Sequence, residues 1–444
     1  MSLIWRGPNT ESFRTTCCVV GGGPAGVMLG YLLARSGVEV LVLEKHADFF
    51  RDFRGDTVHP STLQVMHELG LLEEFLRVPH QKLTSVNGRV GDFAFQAADF
   101  SHLPTRCKFV ALMPQWDFLN FLTDRAKRFP RFQLLMQYRA VNLMRVGQRI
   151  AGVEAQTRDG PVQIQADLVV ACDGRHSTMR QAAGLPVQEF GVPIDALWFR
   201  ISRRAGDPEQ LAGNINYGKA LILINRGDYF QAGLIIPKGS FEQIKREGLE
   251  AFRVAITRIA PYLDHRAGEL QSWDQIKLLT VQINRLEKWH LPGLLCIGDA
   301  AHAMSPAGGV GINLAIQDAV ATANLLAEPL RQGRVTEELL ARVQERREFP
   351  TRVTQMLQVN AHKLFELVFQ NPGPLKAPWQ LKAVAEIPGR SWAMGYVIGI
   401  GVRPEHVAGA AKPERYPEWS LKKTAIRAGA LLGASVVTLR AARG

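Results

Sequence analysis

Three stretches of the chain place glycine and an acidic side chain directly after residues typical of a buried strand. They are Gly21-x-Gly23-x-x-Gly26, Asp173-Gly174 and Gly298-Asp299. In an open α/β sheet, ligands bind outside the carboxyl ends of the strands. We therefore expect the three stretches to converge on one long ligand, a large dinucleotide that lies extended across the domain.

The first stretch has the pattern of a phosphate-binding turn between a strand and a helix. Gly21 permits a tight turn, Gly23 lets the backbone approach a pyrophosphate, and Gly26 lets helix and strand pack closely. The helix N-terminus supplies N–H donors and a positive dipole end for the phosphates. Glu44, which ends the next apolar strand, can accept hydrogen bonds from a ribose diol, and its charge disfavours a 2′-phosphate. The stretch therefore predicts FAD or NAD rather than NADP.

The third stretch leads into a glycine loop and a long apolar helix. Asp299 can bind a ribityl or ribose hydroxyl, and the backbone N–H groups after Pro306 can face negative charge that develops on a ring. From Ile312 to Ala323, apolar residues recur at helical spacing, which predicts a buried helix.

The composition is that of an ordinary globular chain. Of 444 residues, 46% are hydrophobic and 21% are charged, which suits two or three subdomains. The five cysteines form no CxxC pair, and three lie in apolar runs typical of core thiols in a reducing compartment, so we expect a cytoplasmic protein. We find no metal-ligand spacing of His and Cys, and no Lys/Arg run interleaved with aromatic residues that would suggest nucleic acid.

The two ends of the chain are polar or basic. Residues 1–13 lack the apolar core of a signal peptide and predict a flexible lead. Residues 403–444 carry eight Lys/Arg against three Asp/Glu, so the tail is either solvated or contacts an anionic membrane surface or an anionic substrate. The apolar runs 393–402 and 428–439 have about half of the roughly 20 residues that span a bilayer.

At this point the chain resembles the class A FAD-dependent aromatic hydroxylases, the para-hydroxybenzoate hydroxylase group of monooxygenases. The resemblance covers roughly residues 14–345 and rests on three motifs that occur in the order of the family. They are the first glycine motif, the stretch Ala171-Cys172-Asp173-Gly174-Arg175-His176-Ser177, and Gly298-Asp299-Ala300-Ala301-His302 with Pro306, Gly308, Gly309, Gly311 and Asn313.

The resemblance implies a role for each motif. Glu44 would bind the adenosine ribose, Arg54 would lie near the FAD pyrophosphate, and Gln115 would contact the cofactor at a helix start. Asp299 would hold the ribityl chain, and the loop after it would face the isoalloxazine ring. The implied FAD-binding set is Gly21, Gly23, Ala25, Gly26, Glu44, Lys45, Arg54, Gln115, Asp173, Gly174, Gly298, Asp299, Pro306, Gly308, Gly309, Gly311, Ile312 and Asn313.

The resemblance also implies the chemistry. NADH or NADPH would bind transiently, since the chain has no second GxGxxG, and would reduce the FAD. O2 would then form a flavin C4a-hydroperoxide, which hydroxylates or epoxidises a small-molecule substrate. Strands of the inserted sheet would line the substrate pocket, and their residues favour a hydrophobic, aromatic or polycyclic molecule; they are Trp198, Phe199, Leu221, Leu223, Phe230 and Ile235.

The predicted fold is α/β, a Rossmann-like FAD-binding domain with an inserted antiparallel β-sheet substrate domain and a C-terminal helical region. The FAD-binding domain comprises residues 14–190 and 285–345, and residues 83–106 add strands to the substrate sheet. The substrate domain comprises residues 191–284, with a strand over 213–225 and a helix over 241–259. Residues 346–444 form the helical region and the basic tail.

The residues that carry out catalysis are not apparent from the sequence. His59, Tyr217 and Pro306 are candidates, although His59 fits a turn beside Pro60 and Tyr217 fits a structural role in the sheet. His302 is expected to be structural. We find no tyrosine pair of the kind that would deprotonate a phenol.

Other activities share parts of this pattern. A flavin halogenase would need a Trp-x-Trp-x-Ile-Pro stretch, which we do not find, and a disulfide reductase would need a paired redox cysteine. A geranylgeranyl-reductase-like enzyme, which reduces lipid double bonds without consuming oxygen, stays open because of the basic tail and the apolar runs. So does a non-catalytic protein that binds FAD.

Overall fold

The structure is a computed structural model, and it describes residues 5–7, 10–50, 57–207 and 212–409. Its strands are β1 (Trp5–Gly7), β2 (Thr10–Val20), β3 (Val40–Glu44), β4 (Thr57–Val58), β5 (Gln81–Leu83), β6 (Ser85–Val90), β7 (Phe93–Asp99), β8 (Val110–Leu112), β9 (Phe132–Met136), β10 (Arg139–Val146), β11 (Arg149–Gln156), β12 (Pro161–Ala171), β13 (Val187–Phe190), β14 (Ile194–Ser202), β15 (Ala212–Asn216), β16 (Lys219–Asn225), β17 (Tyr229–Pro237), β18 (Lys277–Leu279), β19 (Ile283–Leu286), β20 (His290–Leu291) and β21 (Leu294–Cys296).

The described residues contain twelve α-helices. They are α1 (Pro24–Arg35), α2 (Pro60–Glu68), α3 (Leu72–Phe75), α4 (Gln115–Ala126), α5 (Thr178–Ala183), α6 (Phe241–Glu247), α7 (Leu249–Ile259), α8 (Asp264–Ala267), α9 (Gly311–Arg331), α10 (Glu337–Phe369), α11 (Trp379–Ala385) and α12 (Arg390–Gly399).

The first sheet is the predicted Rossmann-like layer. Its parallel strands run in the order β21-β12-β2-β3-β9, and the antiparallel pair β10-β11 continues from the first half of β12. Helices α1 and α9 pack against each other and contact β2, and their apolar side chains join those of the strands in one core. Helix α9 lies in the only span of the described residues that is long and apolar enough to cross a membrane. Because 72% of that window is buried inside the protein, its composition is that of a core helix.

The second sheet is the inserted one, in the order β18-β14-β17-β16-β15-β6-β7. Strands β6 and β7 come from residues 85–99, as expected for a contribution from 83–106. The sheet is not fully antiparallel, because β15 and β6 pair in parallel. One face packs against α7, and the other packs against α12 and the second half of α10.

Three predictions of local structure were wrong. The lead 1–13 is not wholly flexible, since β2 begins at Thr10 and pairs with β12 from Glu11 onward. The predicted strand 213–225 is a hairpin that turns at Tyr217 and Gly218, both with positive φ. The predicted helix 241–259 breaks at Gly248, whose φ of 95° ends α6. The domain boundary predicted at residue 345 lies inside α10, which runs from Glu337 to Phe369 with Pro350 inside it.

Candidate functional site

The glycine motifs lie at one edge because four strand ends are in register. Ala171 on β12 is paired with Val20 on β2 and with Cys296 on β21, and Val20 is paired with Leu43 on β3. The residue that follows each of these four therefore lies at the same level of the sheet. These residues are Gly21, Glu44, Cys172 and Ile297. The structure thus confirms the predicted convergence of the three stretches.

Two glycines of the first motif are required by packing, and one borders open space. A Cβ on Gly21 would overlap the carbonyl oxygen of Cys172, and a Cβ on Gly26 would overlap that of Gly21. A Cβ on Gly23 would meet no atom within 4 Å. Gly23 is the N-cap of α1 and Pro24 has no N–H, so the N–H groups of Ala25 and Gly26 are those of the first turn that have no acceptor within the helix. The cradle therefore fits a pyrophosphate.

Glu44 is fixed at the end of β3. It is buried, and its two carboxylate oxygens accept hydrogen bonds from the N–H groups of Gly22 and His46, each at 3.0 Å. A carboxylate has about four acceptor sites, which is more than these two hydrogen bonds use, and a ribose diol is a ligand that such a group can accept hydrogen bonds from. Lys45 beside it is exposed, whereas Ala25 is buried against Gly298. Arg54 lies outside the described residues.

Asp173 organises its own turn. Ser177 Oγ donates to one carboxylate oxygen at 2.5 Å, and the N–H of Met179 donates to the other at 3.1 Å. Burial raises the pKa of Asp173 above its ordinary value, and these hydrogen bonds oppose the shift. A Cβ on Gly174 would meet no atom within 4 Å, so the turn presents backbone to open space.

Arg175 connects the second and third motifs, which our reading of the residues did not anticipate. Its guanidinium lies 4.0 Å from the Asp299 carboxylate, and it also donates to the carbonyl oxygen of Thr280 in the inserted region at 3.5 Å. The signal was present in the sequence, because Arg175 directly follows Asp173-Gly174.

A buried charged cluster holds the third motif in place. Asp318 on α9 accepts hydrogen bonds from the N–H of Gly298 at 3.0 Å, from His302 Nε2 at 2.6 Å and from Arg347 Nε at 2.9 Å. Burial acts to raise the pKa of Asp318, but His302 and Arg347 outweigh it and leave the pKa lowered. His302 is therefore structural, as predicted. Asp318 and Arg347 were not predicted.

The loop after Pro306 is a single 3₁₀ turn, Ala307–Gly309, that leads into α9. Gly308 and Gly309 have φ values of 79° and 64°, a region that favours glycine. The carbonyl oxygen of Gly309 accepts a hydrogen bond from Thr57 Oγ1 at 3.1 Å. The first-turn N–H groups of α9 have no acceptor within the helix, so this end suits partial negative charge on a ring.

Asn313 serves the protein rather than a ligand through its side chain. Its Oδ1 accepts hydrogen bonds from Ser61 Oγ at 2.5 Å and Thr62 Oγ1 at 2.9 Å, which tie α9 to α2. Asn313 follows Gly311 and the half-buried Ile312 in the first turn of α9. Gln115 stands at the first position of α4, as predicted for a helix start.

The catalytic candidates differ in their surroundings. His59 is fully buried, its Nδ1 is 2.9 Å from the carbonyl oxygen of Ile398, and burial lowers its pKa to about 4. It is therefore neutral near pH 7. Tyr217 lies in the β15–β16 turn with its ring 4.2 Å from the Arg258 guanidinium of α7, which supports a structural role. Pro306 opens the loop itself.

The register of the inserted sheet divides the proposed pocket residues. Trp198 and Ile235 lie on the face toward α10 and α12. Phe199, Leu221, Leu223 and Phe230 lie on the opposite face, in the core under α7. A shift of one residue exchanges the two faces of a strand, which is why the sequence left this open.

The site and the fold define a class of protein, and comparison with known proteins establishes it. Residues 14–357 match the model of the FAD binding domain family, so the chain belongs to that family. This confirms the predicted family and FAD as the cofactor, and the chain is an FAD-dependent oxidoreductase of the monooxygenase type.

Three relatives illustrate the similarity. The chain is 31% identical to the 6-methylpretetramide 4-monooxygenase of Streptomyces rimosus over 367 residues, which is 79% of this chain and 84% of that protein. It is 29% identical to the rifampicin monooxygenase of Streptomyces venezuelae over 80% of this chain and 72% of that protein. The solved structure of the anhydrotetracycline hydroxylase OxyS of Streptomyces rimosus superposes with a TM-score of 0.68 at 23% identity, covering 91% of this chain and 78% of that chain, which shows a shared fold.

Proposed function

We propose that the protein uses FAD, NADH or NADPH, and O2 to hydroxylate a polycyclic aromatic small molecule. The observation that carries the proposal is the similarity to the 6-methylpretetramide 4-monooxygenase over most of both chains. An apolar sheet face with Trp198 and Ile235 on the side of α10 and α12 supports a hydrophobic substrate.

Different residues on the strand edge would bind different parts of the FAD molecule. Gly23 and the start of α1 would bind the pyrophosphate, Glu44 the adenosine ribose, and Asp299 the ribityl chain. The loop from Pro306 and the start of α9 would lie against the ring. Bound FAD supplies hydride acceptance from the nicotinamide and activation of oxygen.

The chain contributes orientation, charge stabilisation and exclusion of water. The N–H groups at the start of α9 would stabilise negative charge on the reduced ring, with the carbonyl of Gly309 turned away to Thr57. His59, with a pKa of about 4, would add no positive charge near neutral pH. The apolar face of the inserted sheet would keep water from the reacting atoms.

The proposal is tested by product analysis under labelled oxygen. The purified protein is mixed with NADH or NADPH, 18O2 and a panel of polycyclic phenols, and products are analysed by mass spectrometry. We expect substrate-stimulated oxygen uptake and one labelled oxygen atom in a product. NAD(P)H oxidation with a reduced product and no label would instead favour a reductase of lipid-like double bonds. Stable FAD without any NAD(P)H oxidation would favour a binding protein.

We further propose a cytoplasmic protein that contacts anionic membrane surfaces. The basic tail beyond residue 409 lies outside the described residues, but the preceding helices support the idea. Trp379 and Trp392 are 70% and 48% exposed, and Lys382 and Arg390 lie between them in the sequence. Interfacial tryptophan with basic residues is typical of surface binding. Sedimentation with phosphatidylserine vesicles is expected, and equal binding to phosphatidylcholine vesicles would contradict the electrostatic part.

A further inference from the structure

The second half of α10 runs beside the segment 303–307, which leads into the loop that faces the flavin. Gln355, Gln358 and His362 are spaced three and four residues apart, so they lie on one face of the helix. All three are buried, and all three point at this segment. We call these three side chains the loop clamp.

The two glutamines bind backbone atoms. Gln355 Nε2 donates to the carbonyl oxygen of Ala303 at 3.1 Å and to that of Asn284 at 2.7 Å. Gln358 Oε1 accepts from the N–H of Ser305 at 3.1 Å, and its Nε2 donates to the carbonyl oxygens of Ser305 and Ala307, each at 3.0 Å. A single glutamine thus fixes both sides of Pro306.

His362 acts on the same segment through a side chain. Its Nε2 is 2.9 Å from Ser305 Oγ, and Ser305 Oγ accepts a hydrogen bond from the N–H of Ala307 at 3.1 Å. Burial lowers the pKa of His362 to about 4, so the ring is neutral. The neutral ring therefore fixes the hydroxyl that caps the first N–H of the flavin-facing turn.

We propose that Gln358 and His362 are positioning residues that hold the backbone N–H groups of Gly308, Val310 and Gly311 against the flavin ring and so favour its reduced form; the N–H groups of Ala307 and Gly309 donate within the loop. The proposal rests on the FAD site and not on the proposed substrate. It gives a function to the part of α10 that follows the FAD binding domain match, which ends at residue 357.

The loop needs such support because of its own sequence. Gly308 and Gly309 occupy a backbone region that glycine reaches freely, so two adjacent residues contribute little rigidity. On its far side the loop is held by the Thr57 hydroxyl. Donors that stabilise developing charge are effective only where their positions are fixed before the reaction. The clamp fixes the near side.

The test compares four single variants. His362→Leu removes the hydrogen bond to Ser305, His362→Gln keeps a polar group in its place, and Ser305→Ala removes the other partner. Lys363→Gln, an exposed neighbour on α10, is the matched control. For each holoprotein the two-electron midpoint potential of the bound FAD is measured without substrate. The FAD affinity of the apoprotein and its unfolding midpoint are measured in parallel.

We expect His362→Leu to weaken the preference for reduced over oxidised flavin about tenfold, which corresponds to a potential about 30 mV more negative. Ser305→Ala should give a similar shift, and a fifth protein that carries both His362→Leu and Ser305→Ala should shift no further than either single variant. His362→Gln should restore most of the potential, and the control should leave it unchanged. If His362→Leu does not fold, Ser305→Ala carries the test.

The proposal is overturned if the potential stays constant in His362→Leu and Ser305→Ala while only FAD affinity or the unfolding midpoint falls. That result would assign the clamp a purely structural role. Failure of the hydroxylation assignment would not affect this outcome, because no substrate is present in the measurement.

Discussion

Replacing Asp318 by asparagine is expected to destabilise the protein and loosen its FAD. The carboxylate is fully buried and accepts three hydrogen bonds, two on Oδ2 from Gly298 and His302 and one on Oδ1 from Arg347. An amide offers one acceptor oxygen and one NH2 group. Either orientation of the new amide therefore turns its NH2 group toward a donor.

The expected loss of stability in Asp318→Asn follows from the charge of Arg347, which stays buried in the variant. Arg347 is also fully buried, and its next carboxylate, that of Glu405, is 3.5 Å from Nη1. Removing one partner of a buried ion pair costs about 3–5 kcal/mol, because the remaining charge stays in the interior. Since Gly298 carries Asp299, we also expect FAD to dissociate more readily from the variant.

The assay is urea unfolding of the apoprotein, with FAD retention measured separately by dialysis. The control is Glu328→Gln, an exposed acid on the same helix, which is expected to change stability by about 0.5 kcal/mol or less. A loss of under about 1 kcal/mol in Asp318→Asn would refute the reasoning, because it would mean that the cluster tolerates an uncompensated charge.

The pH dependence of the free energy of unfolding at acidic pH gives a second test of Asp318. Its pKa is lowered in the folded protein, so the stability it confers is fully present above the unfolded value near 3.9 and is lost as pH falls through the lower folded pKa. The difference between wild type and Asp318→Asn should therefore shrink below about pH 4.

Three further predictions concern the strand edge and the buried histidine. Gly23→Ala should leave the free energy of unfolding unchanged and weaken FAD binding more than tenfold in a fluorescence titration. Gly26→Ala should destabilise the apoprotein, because the new Cβ overlaps Gly21. Equal effects of the two variants would contradict the geometry. Glu44→Gln should weaken FAD binding about tenfold by the loss of a charged acceptor, and unchanged binding would remove Glu44 from the ribose site. Burial lowers the pKa of His59 to about 4 in the folded protein, whereas the pKa of a histidine in the unfolded chain is about 6.5. The unfolded chain therefore binds the proton first, and the free energy of unfolding falls by about 3 kcal/mol as the pH drops from 6.5 to 4. His59→Gln should flatten that part of the stability curve, and an unchanged slope would show that the imidazole is not buried as neutral.

The strand edge could be predicted because its signals are local. Gly21, Gly23 and Gly26 lie within six residues, and the demands of a tight turn, a close approach and a packed helix act within that span. The position of β12 beside both β2 and β21 then follows from the topology of the fold, and it brings Asp173 and Asp299 to the same edge. The glycine motif and Glu44 indicate FAD or NAD, and the resemblance to the aromatic hydroxylases was needed to predict FAD.

Other features of the fold and the site depend on contacts between residues that are distant in the sequence, and these contacts could not be predicted. The face on which Trp198 lies depends on strand register, and the turn at Tyr217 required a non-glycine residue at positive φ. Arg347 meets Asp318 from another helix, and neither residue belongs to a motif. Such pairs are set by the packing of α9 on α10, which local patterns do not determine.

The same reasoning explains why the flavin loop is supported by a helix that follows the matched domain. Gly23, Glu44 and Asp299 lie just beyond strand ends that are in register, and Asp318 further holds the N–H of Gly298 beside Asp299. The loop after Pro306 leaves the sheet and contains two glycines, so its geometry has to come from side chains outside it. Gln358 and His362 supply those contacts from α10, on the side opposite Thr57. Because α10 also packs through Val359 and Phe365 against the face of the inserted sheet that carries Trp198, one helix joins the loop to the wall of the proposed pocket. A substitution on that face of α10 is therefore expected to change substrate preference and flavin potential together.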